Sequence, residues 1–121
     1  MATARLSDKQ RAGRLGEDRA LAHLQARGLS LVERNFRCKG GEIDLIMRER
    51  EALVFVEVRQ RAGASHGGAA ASVTPAKRRR LIVAAQAYLL RLAILPPCRF
   101  DVVAIEAGVL SWLRAAIDAS D

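Results

Sequence analysis

The segment that most constrains the fold is Gly41–Arg61, GEIDLIMREREALVFVEVRQR. It contains two runs in which apolar and charged residues alternate, separated by the charged pair Arg50-Glu51. Alternation with a period of two residues, rich in Val and Ile, is typical of β-strands. The segment therefore predicts a β-hairpin with a tight turn at Arg50-Glu51.

The alternation also predicts which side chains share a face of each strand, because successive side chains of a strand point to opposite faces. In the first strand we expect one face to carry Ile43, Leu45 and Met47, and the other to carry Glu42, Asp44 and Ile46. In the second strand we expect Val54, Val56 and Val58 on one face, and Leu53, Phe55, Glu57 and Arg59 on the other.

The hairpin brings two acidic residues together. With the turn at Arg50-Glu51, antiparallel register places Asp44 beside Glu57. Like charges directly opposite one another destabilise a sheet. A divalent cation between the carboxylates reverses that effect, because Mg²⁺ and Mn²⁺ bind carboxylate oxygens. The pair therefore predicts a site for Mg²⁺ or Mn²⁺.

The overall composition favours one globular domain with a polyanionic partner. A chain of 121 residues, 50% of them hydrophobic, is long enough for one core. We predict a single domain over residues 1–121, with loose tails at 1–6 and 115–121. Lys and Arg number 20 against 13 Asp and Glu, a net charge of +7. This excess favours nucleic acid as the partner; the alternative is a basic protein without such a partner.

Several classes of site are disfavoured by the sequence. Cys38 and Cys98 form no CxxC pair, and two His residues complete no zinc motif. The Gly-rich segment 62–72 lacks the P-loop pattern, and its His66 is interpreted as a solvated loop residue. We therefore predict no small-molecule cofactor. No apolar run reaches membrane-spanning length, so we predict a cytoplasmic protein without membrane contact.

A helix is predicted from the capping box Ser7–Gln10 to the terminator Gly28. Two internal glycines weaken its first half, so the firm part is expected to begin near Leu15. Glu17 lies on the inward stripe of this helix, together with Ala20, Leu21 and Leu24. Two interpretations remain open: Glu17 belongs to a buried site, or it is a first-turn acid favoured by the helix dipole.

The remaining segments complete an α-β-β-β-α-β-(β) order. We predict a strand at Leu29–Cys38, a helix from Thr74-Pro75 to Ile94, a strand at Cys98–Ile105 and a short strand at Val109–Leu113. A crossover through the second helix joins parallel strands. The order predicts an α/β fold, a single mixed β-sheet flanked by helices.

A constellation for phosphate chemistry follows from this order. Asp44, Glu57 and Glu17 are candidate ligands for the metal ion, and Arg59 shares the face of Glu57. The run Lys77-Arg78-Arg79-Arg80 opens the second helix. It is interpreted either as a solvated helix end or as a contact to a phosphate backbone. A metal ion at these acids would activate water and stabilise charge on phosphate oxygens.

Five motifs in order, GRLGEDRALAHLQARGL, RNFRCKGGEIDLI, VFVEVRQR, GGAAASVTPAKRRRL and RFDVV, resemble the YraN family of small bacterial proteins. The resemblance covers roughly residues 13–105. That family is similar to archaeal Holliday-junction resolvases and to the restriction-endonuclease-like, PD-(D/E)xK fold. The resemblance implies a metal-dependent endonuclease acting on branched or structured DNA. A homodimer is a further expectation from the resemblance.

The resemblance also implies roles for individual residues. Asp44 matches the motif aspartate, Glu57 the motif acid and Glu17 the helical glutamate of resolvases. Arg59 stands where the motif has lysine, and arginine cannot act as a base. Two alternatives to an active nuclease therefore stay open: a non-catalytic nucleic-acid-binding module, and an interaction subunit that needs a partner.

Four other positions receive specific interpretations. Lys77 is a candidate to replace the missing lysine ammonium. Arg61 is interpreted as a phosphate contact or surface charge, and Gln60 as an outward-facing strand residue. Asp101 is expected to pair with Arg99 or with a neighbouring strand. The aromatic residues Tyr88, Phe100 and Trp112 are interpreted as core or interface residues.

Overall fold

The structure is a computed structural model that describes residues 7–61 and 73–119. Its elements are α1 (Asp8–Ala26), β1 (Ser30–Cys38), β2 (Gly41–Glu49), β3 (Ala52–Arg61), α2 (Pro75–Leu89), β4 (Cys98–Glu106) and β5 (Val109–Ile117). The predicted N-terminal tail and the predicted loop with His66 lie outside the described residues.

The five strands form one sheet in the order β1-β2-β3-β4-β5. Strands β3 and β4 are parallel, and the other neighbours are antiparallel. Helix α2 lies in the connection between the two parallel strands, which cannot be joined by a tight turn. The predicted α/β fold with a single mixed sheet and flanking helices is confirmed.

Both helices have the N-terminal caps that the sequence predicts, at Ser7 and Thr74. The firm start of α1 and the end of α2 differ from the prediction. The Ser7 hydroxyl accepts a hydrogen bond from the Gln10 backbone at 3.1 Å, and the Gln10 side chain accepts one from the Ser7 backbone at 2.8 Å. This capping box starts α1 at Asp8, so the expected firm start near Leu15 was wrong. Helix α2 has the predicted Thr74 cap, but it ends at Leu89 and not at Ile94.

The sheet separates two apolar clusters. Phe55, Tyr88 and Phe100 belong to the cluster on the α2 side of the sheet. Leu24 of α1 belongs to the other, together with Val54 and Val56 of β3. The predicted alternation of β3 is therefore confirmed.

One residue of β2 does not follow its predicted face. Leu45 packs in the α1-side cluster, as does Met47, whereas Ile43 packs in the α2-side cluster. The opposite β1 residue, Asn35, has a left-handed backbone with φ +52°. The pairs Arg34↔Leu45 and Phe36↔Ile43 flank it, and both strands change face between these pairs. The prediction that Ile43 shares a face with Leu45 was wrong, because it assumed unbroken alternation.

The last strand is longer than expected. Strand β5 runs to Ile117, so residues 115–117 are part of the sheet and not of a loose tail. A register shift between Phe100 and Val102 accompanies a left-handed Ala115 with φ +49°. Asp101, fully buried, accepts hydrogen bonds at 2.9 Å from the Ala115 backbone and the Trp112 indole, and from Arg99 at 3.1 Å. The expected pairing with Arg99 is confirmed, and Asp101 fixes the irregular part of β5.

Candidate metal and nucleic-acid site

Asp44 lies where β2 and β3 separate. Backbone pairing between these strands runs from Glu49↔Ala52 to Leu45↔Val56. At the next position, the Asp44 Oδ2 atom accepts the Val58 backbone N–H at 2.8 Å. The Asp44 side chain thus takes the place of a backbone acceptor. This arrangement holds its carboxyl group between the two strands.

Glu57 is the neighbour of Asp44, as the hairpin register predicts. Their carboxyl groups are joined by a hydrogen bond. Burial raises the pKa of Glu57 to about 8, and the negative charge of Asp44 adds to the rise. Burial also raises the pKa of Asp44 to about 6, where the Glu17 charge adds to the rise and the Val58 hydrogen bond opposes it. At neutral pH the pair therefore retains a proton, which the two carboxyl groups share in their hydrogen bond.

Two cations lie near Glu57. The charges of Lys77 and Arg59 each lower the pKa of Glu57, but burial and Asp44 outweigh them. Lys77 and Arg80 line a small groove of about 40 Å³ with Glu57 and Glu42. The groove thus combines two acids of the sheet with two cations from the start of α2.

The basic turn of α2 is divided between two places. Lys77 and Arg80 are three residues apart and share a side of the helix, and Arg80 lies 3.6 Å from a Glu42 oxygen. Arg78 and Arg79 instead line a different cavity, of about 230 Å³, that includes Asp118. Of the four predicted nucleic-acid contacts in this run, two therefore lie at the carboxylate pair.

Glu17 lies close enough to Asp44 to raise its pKa, but it has a cationic partner of its own. The Arg34 guanidinium is 3.4 Å from a Glu17 oxygen and 2.9 Å from an Asp18 oxygen. Sequence reasoning missed Arg34, because an alternating strand carries no signal for a partner on a distant helix. Within residues 7–61 and 73–119, no group of three His, Cys, Asp or Glu residues is placed to hold a metal ion.

The two carboxyl groups that the structure brings together suit a hard divalent cation. Mg²⁺ and Mn²⁺ bind one or two protein carboxylates and take their remaining ligands from water and phosphate. The raised pKa values of Asp44 and Glu57 reflect burial and repulsion, both of which a bound cation would relieve. Asp44 and Glu57 therefore fit the predicted metal, whereas Glu17, which pairs with Arg34, is not grouped with them closely enough to hold the same ion.

Comparison with known sequences identifies the family. The model of "Uncharacterised protein family UPF0102" matches residues 16–105. A UPF0102 protein of Herminiimonas arsenicoxydans is 61% identical over 110 residues, which cover 91% of this chain and 89% of the relative. This chain belongs to the UPF0102 family. A UPF0102 protein of Cupriavidus necator is 62% identical over 117 residues, covering 96% of this chain and 89% of the relative.

Membership of UPF0102 confirms the resemblance to the YraN family, which is the same family. The matched residues include the carboxylate pair, Glu17, Arg59 and the basic turn of α2. The names of these UPF0102 relatives state the family and no activity. Among the described helices, neither is long and apolar enough to cross a membrane.

Proposed function

We propose that this UPF0102 protein is a metal-dependent endonuclease that hydrolyses phosphodiester bonds in branched or otherwise structured DNA. The observation that carries the proposal is the pair Asp44 and Glu57, whose carboxyl groups share a hydrogen bond. A half-buried carboxylate pair with raised pKa values, beside cationic groups, is common at functional sites. The resemblance to Holliday-junction resolvases supports the substrate class.

The residues have distinct roles in this proposal. Asp44 and Glu57 hold Mg²⁺ or Mn²⁺, and Glu17 supports the site through its charge on Asp44. The bound ion would supply an activated water and charge stabilisation at the phosphate. Arg59, close enough to affect the pKa of Glu57, contacts the scissile phosphate.

Lys77 is the residue that best compensates for the motif lysine replaced by Arg59. An arginine stays protonated and cannot accept a proton from water, whereas a lysine can. Lys77 lines the groove with Glu57 and lowers its pKa. We assign Lys77 to the attacking water or leaving group, and Arg80, Arg78, Arg79 and Arg61 to the DNA backbone.

A second candidate function, favoured by Arg59, is a nucleic-acid-binding module without catalysis. The Arg34 contact to Glu17 also favours it, since Arg34 neutralises an acid that the resolvase motif uses. This candidate predicts binding that weakens with salt and no cleavage with any divalent metal. Appearance of cleavage in an Arg59→Lys variant of an inactive wild type would support it.

The test is a cleavage assay with labelled four-way junction, flap and linear duplex DNA in Mg²⁺ or Mn²⁺. We expect the wild type to cut a branched substrate, and both Asp44→Asn and Glu57→Gln to lose at least about a hundredfold of the rate. Glu51→Gln, the same change at an exposed turn position, is the matched control. Activity that survives in Asp44→Asn would show that the carboxylate pair does not carry the reaction.

The cellular setting belongs to the same proposal. We propose a cytoplasmic protein, which the free thiols of Cys38 and Cys98 support. We also propose a homodimer, which the resemblance to Holliday-junction resolvases implies.

A further inference from the structure

A pocket of about 500 Å³ lies where the end of α1 meets the turn between β2 and β3. Its lining residues are Arg27, Gly28, Glu49, Arg50 and Arg114, and we call it the arginine pocket. The three arginines come from different parts of the chain. Arg27 is the C-terminal cap of α1, Arg50 lies in the β2–β3 turn and Arg114 belongs to β5.

The arginine pocket lies on the face of the sheet that α1 covers. Glu49 follows Met47 by two residues in β2, and Met47 packs in the α1-side cluster. Arg114 likewise follows Trp112 by two residues in β5, and Trp112 packs against the same cluster. Glu57 instead lies two residues after an α2-side core residue of β3. The arginine pocket and Glu57 are therefore on opposite faces of the sheet.

Two contacts hold Arg114 in the pocket. Its guanidinium carbon lies over the Trp112 ring, 3.9 Å from the ring centroid. Its Nη1 atom donates to a Glu49 oxygen at 3.1 Å, which is its one hydrogen bond to the residues that the structure describes. The Arg114 side chain is 52% exposed, so other guanidinium N–H groups remain available to a ligand. A guanidinium that is fixed in advance loses little freedom on binding.

Glu49, the acid that lines the pocket, is already neutralised. The oxygen that accepts Arg114 also accepts the Arg99 Nη1 atom at 2.6 Å. The hydrogen bond from Arg99 is the main reason why the pKa of Glu49 is lowered. Asp101 accepts the Arg99 Nε atom at 3.1 Å. These two acids therefore balance Arg99 and Arg114, and the charges of the other two arginines of the pocket remain in excess.

Arg27 and Arg50 carry this excess charge. Within residues 7–61 and 73–119, neither forms an ion pair. Glu51, which follows Arg50 in the turn, does not line the pocket. The Arg27 Nη1 atom is 3.4 Å from His23 Nδ1, which must be the acceptor because a guanidinium only donates. Burial and the charge of Arg27 lower the pKa of His23, so this partner is neutral at neutral pH.

We propose that the arginine pocket binds a phosphate group. Guanidinium groups donate paired hydrogen bonds to phosphate oxygens, and the excess positive charge favours an anion. The proposal does not depend on the proposed function, because the pocket and Glu57 are on opposite faces of the sheet. A nucleic-acid backbone and a small phosphorylated molecule both supply such a group, and the experiment separates these two sources.

The single tryptophan of the chain provides a local readout. Trp112 lies under Arg114, so a phosphate bound at Arg114 should change the fluorescence of Trp112. Inorganic phosphate is titrated into the full chain in EDTA, with the ionic strength held constant by chloride. We expect a saturable change in fluorescence, with an affinity that Arg27→Gln and Arg50→Gln each weaken several-fold.

Arg48→Gln is the matched control. Arg48 is exposed and is paired with Leu53, which packs on the α2 side, so the variant removes the same charge from the other face of the sheet. It should bind phosphate like the wild type. Arg27 and Arg50 are also exposed and form no ion pair among the described residues, so Arg27→Gln and Arg50→Gln should keep the melting temperature of the wild type. Weaker binding at an unchanged melting temperature excludes a loss of folding as the cause.

The second arm identifies the source of the phosphate. It measures fluorescence anisotropy of labelled duplex DNA in EDTA at several salt concentrations. If nucleic acid is the ligand, Arg27→Gln and Arg50→Gln should each weaken DNA binding several-fold and reduce the slope of log K against log salt by about one. If the two variants weaken phosphate binding and leave DNA affinity unchanged, the ligand is a small phosphorylated molecule.

Two outcomes overturn the proposal. In the first, Arg27→Gln and Arg50→Gln bind phosphate and DNA like the wild type, so the pocket contacts neither. In the second, Arg48→Gln weakens binding as much as the two pocket variants do, so the effect reports net charge and not a site. Neither arm measures cleavage, so a failure here is distinguishable from a failure of the proposed endonuclease.

Discussion

Replacing Glu57 by glutamine should stabilise the metal-free protein in alkaline solution. In the wild type, the hydrogen bond between Glu57 and Asp44 holds a proton, and burial raises the pKa of Glu57 to about 8. In the Glu57→Gln variant, the side-chain amide donates the same hydrogen bond at every pH. The variant therefore removes a group that must ionise in a half-buried site as the pH rises.

The magnitude follows from the shift in the pKa of Glu57. A rise from 4.5 to about 8, at about 1.4 kcal/mol per unit, corresponds to at most about 5 kcal/mol. We expect about 2–3 kcal/mol, because Glu57 keeps some contact with solvent and neighbouring cations favour its ionised form.

The sign of the pH dependence follows from proton binding. Between pH 4.5 and about 8 the folded protein holds a proton on Glu57 that the unfolded chain has released. The free energy of unfolding of the wild type should therefore fall as the pH rises through this window. Below pH 4.5 both states are protonated, and the wild type and Glu57→Gln should converge.

The assay is urea denaturation at about pH 5, 7 and 9 in EDTA, with Glu51→Gln as the control for loss of an exposed acid. We expect Glu57→Gln to exceed the wild type by about 2–3 kcal/mol near pH 9 and by much less near pH 5. A variant less stable than the wild type at the alkaline pH, or a difference independent of pH, would refute the reasoning.

Three further predictions concern the backbone and the packing around the site. The left-handed backbone of Asn35, with φ +52°, is disfavoured by valine and tolerated by glycine. Asn35→Val should therefore abolish the hydrogen-exchange protection of the Val58 amide, which donates to Asp44, and Asn35→Gly should keep it. Arg50→Val imposes similar strain in the hairpin turn and should leave that protection intact; equal loss in both would contradict a specific role for Asn35. Asp101→Asn should lower the free energy of unfolding, measured by urea denaturation, by about 2–3 kcal/mol, because a fully buried acceptor of three donors loses its charge. A decrease below about 0.5 kcal/mol would contradict this. Gly41→Ala should lower stability by about 2 kcal/mol, because its Cβ atom would collide with a backbone carbonyl of α2; an unchanged melting temperature would show that α2 adjusts freely.

The carboxylate pair could be predicted from the sequence because it depends on local information. Arg50 and Glu51 form the turn, and Arg50 adopts a left-handed φ of +55°. Counting residue pairs from this turn in antiparallel register brings Asp44 beside Glu57. The apolar alternation of β3 fixes the faces because each face is covered by a helix. Neither inference requires knowledge of distant parts of the chain.

The failures of prediction have a different origin. The left-handed Asn35 reverses the face of Ile43, and nothing in an alternating strand indicates such a residue. The charge of Glu17 left two interpretations open, and the structure gives it both a partner, Arg34, and an influence on Asp44. Both features depend on contacts between segments that are distant in the sequence.

The end of α2 was predicted wrongly for a physical reason. The apolar run after Leu89 continues a helical pattern, but Leu90, Ile94 and Leu95 are 88%, 84% and 71% exposed. A helix gains most of its stability from packing an apolar face. Because these side chains are largely exposed in the part of the chain that the structure describes, the pattern alone did not extend α2 to the prolines.

The most direct test of the central claim is calorimetric titration of Mn²⁺ into the metal-free protein at neutral pH, with and without uncleavable duplex DNA. We predict binding that releases about one proton, because Glu57 must ionise to accept the metal. We also predict that Asp44→Asn and Glu57→Gln abolish binding and that Glu51→Gln leaves it unchanged. Absence of Mn²⁺ binding by the wild type under both conditions, or equal binding by Asp44→Asn, would contradict a metal site at the carboxylate pair.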